Sequence, residues 1–509
     1  MTLSSSAQES RNSVYNSRTV AHYIYIYIIC FIISAFLGAL FFAWTTSPLY
    51  SDWGYDSAMF QTIGKYWAQG YLPYVTMFDH KGPIIFLINA IGYAIDGRAG
   101  VFMLQVLFLA VDELLAYKML AKRIPRGISF AAALLLPILL AANWQEGNTT
   151  EEYILPLLFA SFSLMLDWCD NFALKSYEHN PRAAFIYGLG FAFALLTRVT
   201  NALGICVGVA FIVITLVING KWKNLGLNAL YFIVGTALLA VPMCIYFAVH
   251  DALYDMWYGT LLFNLDYSVA SGTAAPSGIV ELLVLFRRYM MGWCLVGSAV
   301  FLLIFKKEKR TSAAFWLIIT LVNTLFMYTL NDYAHYGIVL LPLCYIAFCI
   351  LYTESAGVKA DKLAKICMLV MAVLVLVSSG LKIYKEKTEV LPPQAYEDWG
   401  DDYMPLLEMI PEGGRASFVA FDCPRRLYLQ SGLRPAFRFF TLQQWMCVNS
   451  SAFAETLRSE FAKSDVEYVM TFNLDSEPYA TSDIIAEKYT LVANSEHNLY
   501  SLYRLNDAE

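Results

Sequence analysis

Apolar runs about 20 residues long recur along most of this 509-residue chain, separated by short polar connections. A run of that length forms one helix across a bilayer, because a rise of about 1.5 Å per residue covers a hydrocarbon core about 30 Å thick. Within lipid the backbone has to satisfy its own polar groups, so the runs are expected to fold as a helix bundle. Hydrophobic residues make up 58% of the chain and charged residues 15%, against nearer half and a quarter in soluble domains. That excess excludes a soluble enzyme, a secreted disulfide scaffold and a disordered tail. With 35 basic and 41 acidic residues there is no electrostatic footprint for nucleic acid.

The first run, His22 to Trp44, is too long for a signal-peptide core and lacks a small-residue cleavage site. It reads as an uncleaved span behind a polar cytoplasmic tail over residues 1–21. Further spans fall near 99–120, 127–144, 152–168, 183–197, 199–218, 225–248, 284–305, 312–330, 336–353 and 365–384, eleven in all. Lys and Arg collect in alternate connections: Lys118, Lys122, Arg123 and Arg126; Lys175 and Arg182; Lys221 and Lys223; Lys306, Lys307, Lys309 and Arg310; Lys359, Lys362 and Lys365. The positive-inside rule places these in the cytoplasm. The run 183–218 has basic residues at both ends, so it crosses twice and turns at Thr197–Asn201 on the outer side. Ile84 to Ile95 is too short to span and stops at Asp96-Gly97, reading as an interfacial or re-entrant helix on the outer face. Eleven crossings from a cytoplasmic N-terminus put the C-terminus outside.

The spanning region thus covers 22–384, with outer loops at 45–98 and 145–151. A linker around Pro392-Pro393 begins a C-terminal segment, 385–509, with a different composition. Short β-type runs at Ala416–Phe421, Val466–Phe472, Tyr489–Ala493 and Leu499–Leu505 alternate with helical patterns near 402–410 and 452–463. They predict a small extracytoplasmic α/β domain. Of ten Cys, Cys423 and Cys447 lie in it, and its compartment permits a disulfide between them. No Cys/His spacing resembles a zinc site.

The outer connections hold more polar residues than packing requires. In the first, Asp56 opens a helical pattern with Met59, Phe60, Ile63 and Trp67 on one face. Asp56 is either a first-turn carboxylate offsetting the helix dipole or a functional acid. Asp79-His80-Lys81 places an acceptor, a titratable ring and a cation just before a helix, the makings of a phosphate seat or of a solvated turn. The second connection carries Glu146, Glu151 and Glu152 with no cation, more than capping at Thr150 explains. Arg198 sits at an outer turn, where snorkelling to headgroups also accounts for it. His335-Tyr336 enters a late span, where a structural interfacial His is the plainer reading. Asp112 and Glu113 form an intramembrane acid pair, for which pairing with nearby basic residues is the plainer expectation.

The pattern Asp56-Ser-Ala-Met-Phe…Gly64-Lys…Gly70…Pro73-Tyr74…Phe78-Asp79-His80-Lys81-Gly82-Pro83, then Asn89-Ala-Ile-Gly92, resembles bacterial GT-C glycosyltransferases. Within that group it is similar to glycosyltransferase family 39, the protein O-mannosyltransferase-like and lipid A aminoarabinose transferase-like enzymes. With the acidic second loop, the Leu196-Thr197-Arg198 turn and His335-Tyr336, the resemblance covers about 60% of the chain. It implies inverting transfer of a sugar from a polyprenyl-phosphate donor to an extracytoplasmic glycan, lipid or protein. Asp56 matches the family's catalytic acid, as general base toward the acceptor hydroxyl. Lys81 and Arg198 match donor-phosphate-binding positions. Asp79, His80, Glu151, Glu152, His335 and Tyr336 fall to acceptor placement or the cavity lining. Thr76 departs from the pattern, where relatives often carry a second Asp. A single phosphate leaves less need for a cation, so neither a cofactor nor an obligatory metal is expected. The rival readings are a transporter or flippase of lipid-linked sugars, with Asp112/Glu113 as a proton relay, and a non-catalytic cell-wall assembly partner.

Overall fold

The computed structural model describes residues 25–141, 143–144, 147–174, 177–265, 289–327, 333–354, 402–440, 444–472 and 480–506, with scattered helical positions between 362 and 381. Six helices are long and apolar enough to cross a membrane, and three shorter apolar helices accompany them. The chain is a mostly helical, multi-pass membrane protein with a small C-terminal sheet. The first ten runs read from sequence each coincide with helix, beginning with α1 (Tyr25–Phe42). The run at 284–305 is described only from Tyr289, and the eleventh, 365–384, lies largely outside the described residues. Helix Trp222–Val249 buries little of its length; Leu230, Ile233, Leu238, Ile245 and Val249 are exposed along it. Such a face needs lipid or a neighbouring helix to cover it.

Two interruptions anticipated from sequence are present. The run 183–218 breaks into Pro181–Leu195 and Leu203–Ile218, joined through Arg198 and a 3₁₀ turn at Val199–Ala202. The α3 segment, Pro83–Ala121, breaks at Asp96 and Gly97, where Gly97 takes φ 57°. A straight helix would hold Gly92 and Gly100 about 12 Å apart. Instead a methyl on Gly100 would collide with the Gly92 carbonyl, so the chain doubles back into a close helical hairpin. Glycine is required on both counts, for the positive φ and for the contact.

The four β-runs form β1 (Phe418–Phe421), β2 (Tyr468–Phe472), β3 (Tyr489–Asn494) and β4 (Tyr500–Leu505), in the order β1-β2-β4-β3. β1 and β2 are parallel, and the other pairings are antiparallel. This unit shares a core with the loop between α1 and the Pro83–Ala121 segment. Phe78 packs on Phe439 and Phe453, with ring centroids 5.3 and 5.6 Å away, and its N–H donates to the Arg438 carbonyl at 2.7 Å. Arg434 lies over the Tyr71 ring, and the Tyr66 hydroxyl donates to the Gly432 carbonyl. Cys423 and Cys447 are free thiols, so the disulfide permitted by compartment is not formed.

Candidate functional site

Asp56 is the first residue of α2 (Asp56–Ala68), and α2 is fixed by close packing on α3. A Cβ on Gly64 would run into Asn89 of α3. Asn89 and Asn148 exchange amide hydrogen bonds, and Asn148, at φ 58°, also reaches the hydroxyls of Ser57 and Tyr153. The connection around Asn148 is thereby tied to the start of α2.

The turn before α3 is built as tightly. Asp79 is fully buried, and its Oδ1 accepts from the Lys81 N–H at 2.9 Å. The Tyr74 hydroxyl donates to the Lys81 carbonyl at 2.7 Å, and Asn264 donates to the His80 carbonyl at 2.7 Å. Asn264 follows a π-helical turn at Tyr258–Leu262, a local irregularity of a type frequent at functional sites. Lys81 Nζ lies 2.6 Å from His80 Nε2. An ammonium has only donors, so Nε2 accepts and the ring proton sits on Nδ1, which faces Asp79 Oδ2 at 3.6 Å. Burial and the Lys81 charge hold His80 below its ordinary pKa despite Asp79, which keeps the ring neutral near pH 7. Burial also pulls Lys81 down, against the opposing pull of Asp79, Asp56 and Glu151.

The Gly82 N–H donates to the Thr197 carbonyl at 2.8 Å and the Ile84 N–H to the Leu196 carbonyl at 2.9 Å. These two bonds dock the Lys81 turn on the Arg198 turn. A Cβ on Gly82 would overlap the Leu196–Thr197 backbone. We predict that Gly82→Ala destabilises the protein by about 1–3 kcal/mol and parts Lys81 from Arg198. Thermal unfolding in detergent measures it, with Gly127→Ala, whose methyl would meet nothing within 4 Å, as control. Equal stability of the two variants would refute the docking.

Arg198 donates from Nη1 to Glu151 Oε1 at 2.7 Å and stacks 3.6 Å above the Tyr336 ring. Thr150 supplies a further hydrogen bond to Glu151 Oε2 at 2.9 Å. Burial works to raise the Glu151 pKa, but Arg198, His335 and the Thr150 hydroxyl together outweigh it and hold the carboxyl below its ordinary range. His335 stacks on Tyr333 and meets the Tyr336 ring edge-on, and it couples electrostatically to Glu151, Arg198, Asp56 and Lys81.

Asp56 completes the cluster. Its carboxylate accepts from Arg425 Nη1 at 2.8 Å, across 369 residues of sequence. The side chain is 43% exposed although protein surrounds it densely, so it faces a cleft rather than an open surface. Burial would raise its pKa; Arg425, Lys81 and His335 reverse that and hold it well below the usual carboxylate range. The sign follows: this contact stabilises the fold above the ordinary carboxylate pKa, and fades only as pH falls through the depressed value. Among the described residues no group of three or more His, Cys, Asp and Glu is arranged to hold a metal ion.

Neither a protein-family model nor a curated protein matches the chain. Solved structures do. The archaeal oligosaccharyltransferase AglB from Archaeoglobus fulgidus, in complex with an inhibitory peptide and a dolichol-phosphate, gives a TM-score of 0.55 at 12% identity, covering 88% of this chain and 69% of that one. ArnT from Cupriavidus metallidurans, bound to undecaprenyl phosphate, gives 0.55 at 13% identity, covering 96% of this chain and 98% of that one. Both are GT-C glycosyltransferases. The chain has a GT-C fold. At these identities the likeness is one of architecture, and the chemistry has to be argued from the residues.

In this GT-C bundle Asp56, Lys81, Arg198, Glu151, His335 and Tyr336 converge, while Asp79 and His80 order Lys81 from behind. Glu152 departs from its neighbour. It accepts from Gln105 at 2.6 Å, from the Asn148 N–H at 3.0 Å and from the Trp144 indole, a buried set apart from Arg198. Asp112 and Glu113 are buried, and Glu113 accepts from Ser34 at 2.6 Å. Among the described residues neither is joined to a Lys or Arg, contrary to the pairing anticipated for them. Arg425 and Arg426 were missed. The only signal was Pro424-Arg425-Arg426, two adjacent cations in a segment predicted to face outward.

Proposed function

We propose that this protein is a membrane glycosyltransferase. It transfers a sugar from a polyprenyl-phosphate donor to a hydroxyl of an extracytoplasmic glycan, lipid or protein, inverting the anomeric carbon. The observation carrying this reading is the meeting of a cleft-facing carboxylate, Asp56, with the charge of Lys81, which in turn neighbours Arg198. A lipid-linked phosphate needs cations, and the attacking hydroxyl needs a carboxylate on the side opposite the leaving phosphate. The solved GT-C proteins that hold dolichol-phosphate and undecaprenyl phosphate support the donor class.

In this reading eleven spans place the cluster on the outer face, with the N-terminus cytoplasmic and the C-terminal unit outside. Lys81, set by Asp79 and His80, takes the donor phosphate. Arg198 assists while held by Glu151 and Tyr336, and His335 borders the sugar. Glu152 positions the second connection through its buried hydrogen bonds. The C-terminal unit guides the acceptor, and no metal is required.

The test is a panel of polyprenyl phosphate-sugars incubated with the reconstituted protein and a membrane extract as acceptor source. One donor should be consumed, with release of polyprenyl phosphate. Movement of intact donor across the bilayer without consumption of any panel member would instead favour a flippase.

A further inference from the structure

Arg425 joins the C-terminal unit to Asp56, and the chemistry proposed above changes what that guanidinium faces. It lies on the turn after β1, is 11% exposed, and donates to Asp56 Oδ1 at 2.8 Å. Its neighbour Arg426 reaches Asp52 at 3.5 Å, so two arginines tether the unit to the first outer loop. The charged and titratable groups facing Asp56 are Arg425 from the C-terminal unit, Lys81 and His80 from the first loop, and His335 with the Tyr336 hydroxyl from the turn Ala334–Leu340.

A donor phosphodiester carries one negative charge. In transfer, the acceptor oxygen bonds to the anomeric carbon and the bond from that carbon to the phosphate oxygen breaks. The electron pair stays on the phosphate, and the hydroxyl proton passes to Asp56. The phosphate gains a charge as Asp56 loses one. An aspartate held by Arg425 is a weak proton acceptor, because the pair stabilises its ionised form. Removing the guanidinium raises its proton affinity as the proton arrives.

We propose that Arg425 exchanges partners during the reaction, leaving the Asp56 carboxylate for the oxygens of the newly formed polyprenyl phosphate. This rests on the glycosyl-transfer reading. The planar fork of Arg suits both oxygen pairs, and the doubly charged product attracts it more strongly than the donor does. Arg425 is therefore a product-phosphate ligand as well as a holder of Asp56. The exchange also releases one of the two arginine–aspartate pairs that join the C-terminal unit to the first loop.

Equilibrium binding of undecaprenyl phosphate to the full-length protein in detergent tests this without turnover, using undecaprenol as the uncharged control. Asp56→Asn removes the resident charge, so any effect of Arg425 in that background acts on the phosphate directly. Adding Arg425→Ala to Asp56→Asn should weaken undecaprenyl phosphate binding about ten- to a hundredfold and leave undecaprenol unchanged. Arg425→Gln should do the same, and Arg425→Lys should recover part of the loss. Unchanged affinity on removing Arg425 from the Asp56→Asn protein would overturn the exchange while leaving the donor class intact. A wild-type protein that binds undecaprenyl phosphate no better than undecaprenol would overturn the donor reading, and the exchange with it.

Discussion

Arg198→Ala should destabilise the protein by about 3–5 kcal/mol, the usual cost of stripping one partner from a buried ion pair. Glu151 is 1% exposed, and Arg198 is its only charged hydrogen-bond partner among the described residues. The variant also loses a guanidinium stacked on Tyr336. Lys in its place should recover only part of the loss, since an ammonium lacks both the fork and the stacking plane. Adding Glu151→Gln to Arg198→Ala should restore much of the stability by removing the stranded charge.

The pH dependence gives a second reading with opposite signs. In the wild type the Glu151 pKa is depressed, so its contribution is present above about 4.5 and is lost as pH falls through the folded value. Without Arg198 only His335 and the Thr150 hydroxyl still oppose burial, the largest single influence, so the folded pKa should rise above the unfolded one and acidification should stabilise the variant. Thermal unfolding in detergent between pH 4 and 8 reads both. Parallel pH curves for the two proteins would sink the assignment.

Asp56→Asn should lower transfer about 10²–10⁴-fold, the range ascribed to a positioned general base. Unfolding temperature should fall only modestly, because the part-exposed ion pair is lost while an amide oxygen still accepts from Arg425. The comparison separates the readings of this bundle. Transport of an intact lipid-linked sugar through an acid relay should respond to substitution of Asp112 and Glu113 and ignore Asp56. A non-catalytic partner should lose its role on deletion of the C-terminal unit and be indifferent to Asp56. Undiminished transfer by the folded Asp56→Asn protein would remove it from catalysis.

Most of the framework is readable from sequence because it depends on neighbours along the chain. Apolar runs of bilayer length declare their own helices, and Asp96-Gly97 declares a break because Gly97 combines φ 57° with ψ −133°, a conformation that only glycine enters at little cost. The four strand segments of the C-terminal unit were visible as short β-type runs. Even the Lys81-Gly82-Pro83 step carries its reason locally, in a proline that starts a helix.

What the sequence could not supply is which groups meet across the fold. Glu151 and Glu152 are adjacent and chemically alike, yet about 100° of helical rotation sends one to Arg198 and the other to Gln105 and Trp144. Asp56 was visible as a candidate, but its partner is contributed from 369 positions away by a turn in another unit. Sequence spacing fixes secondary structure and topological hints, since those are set by hydrophobic period and backbone sterics. Ion pairing depends on distances of a few ångströms between groups that no local pattern connects, and only the packed tertiary structure decides those.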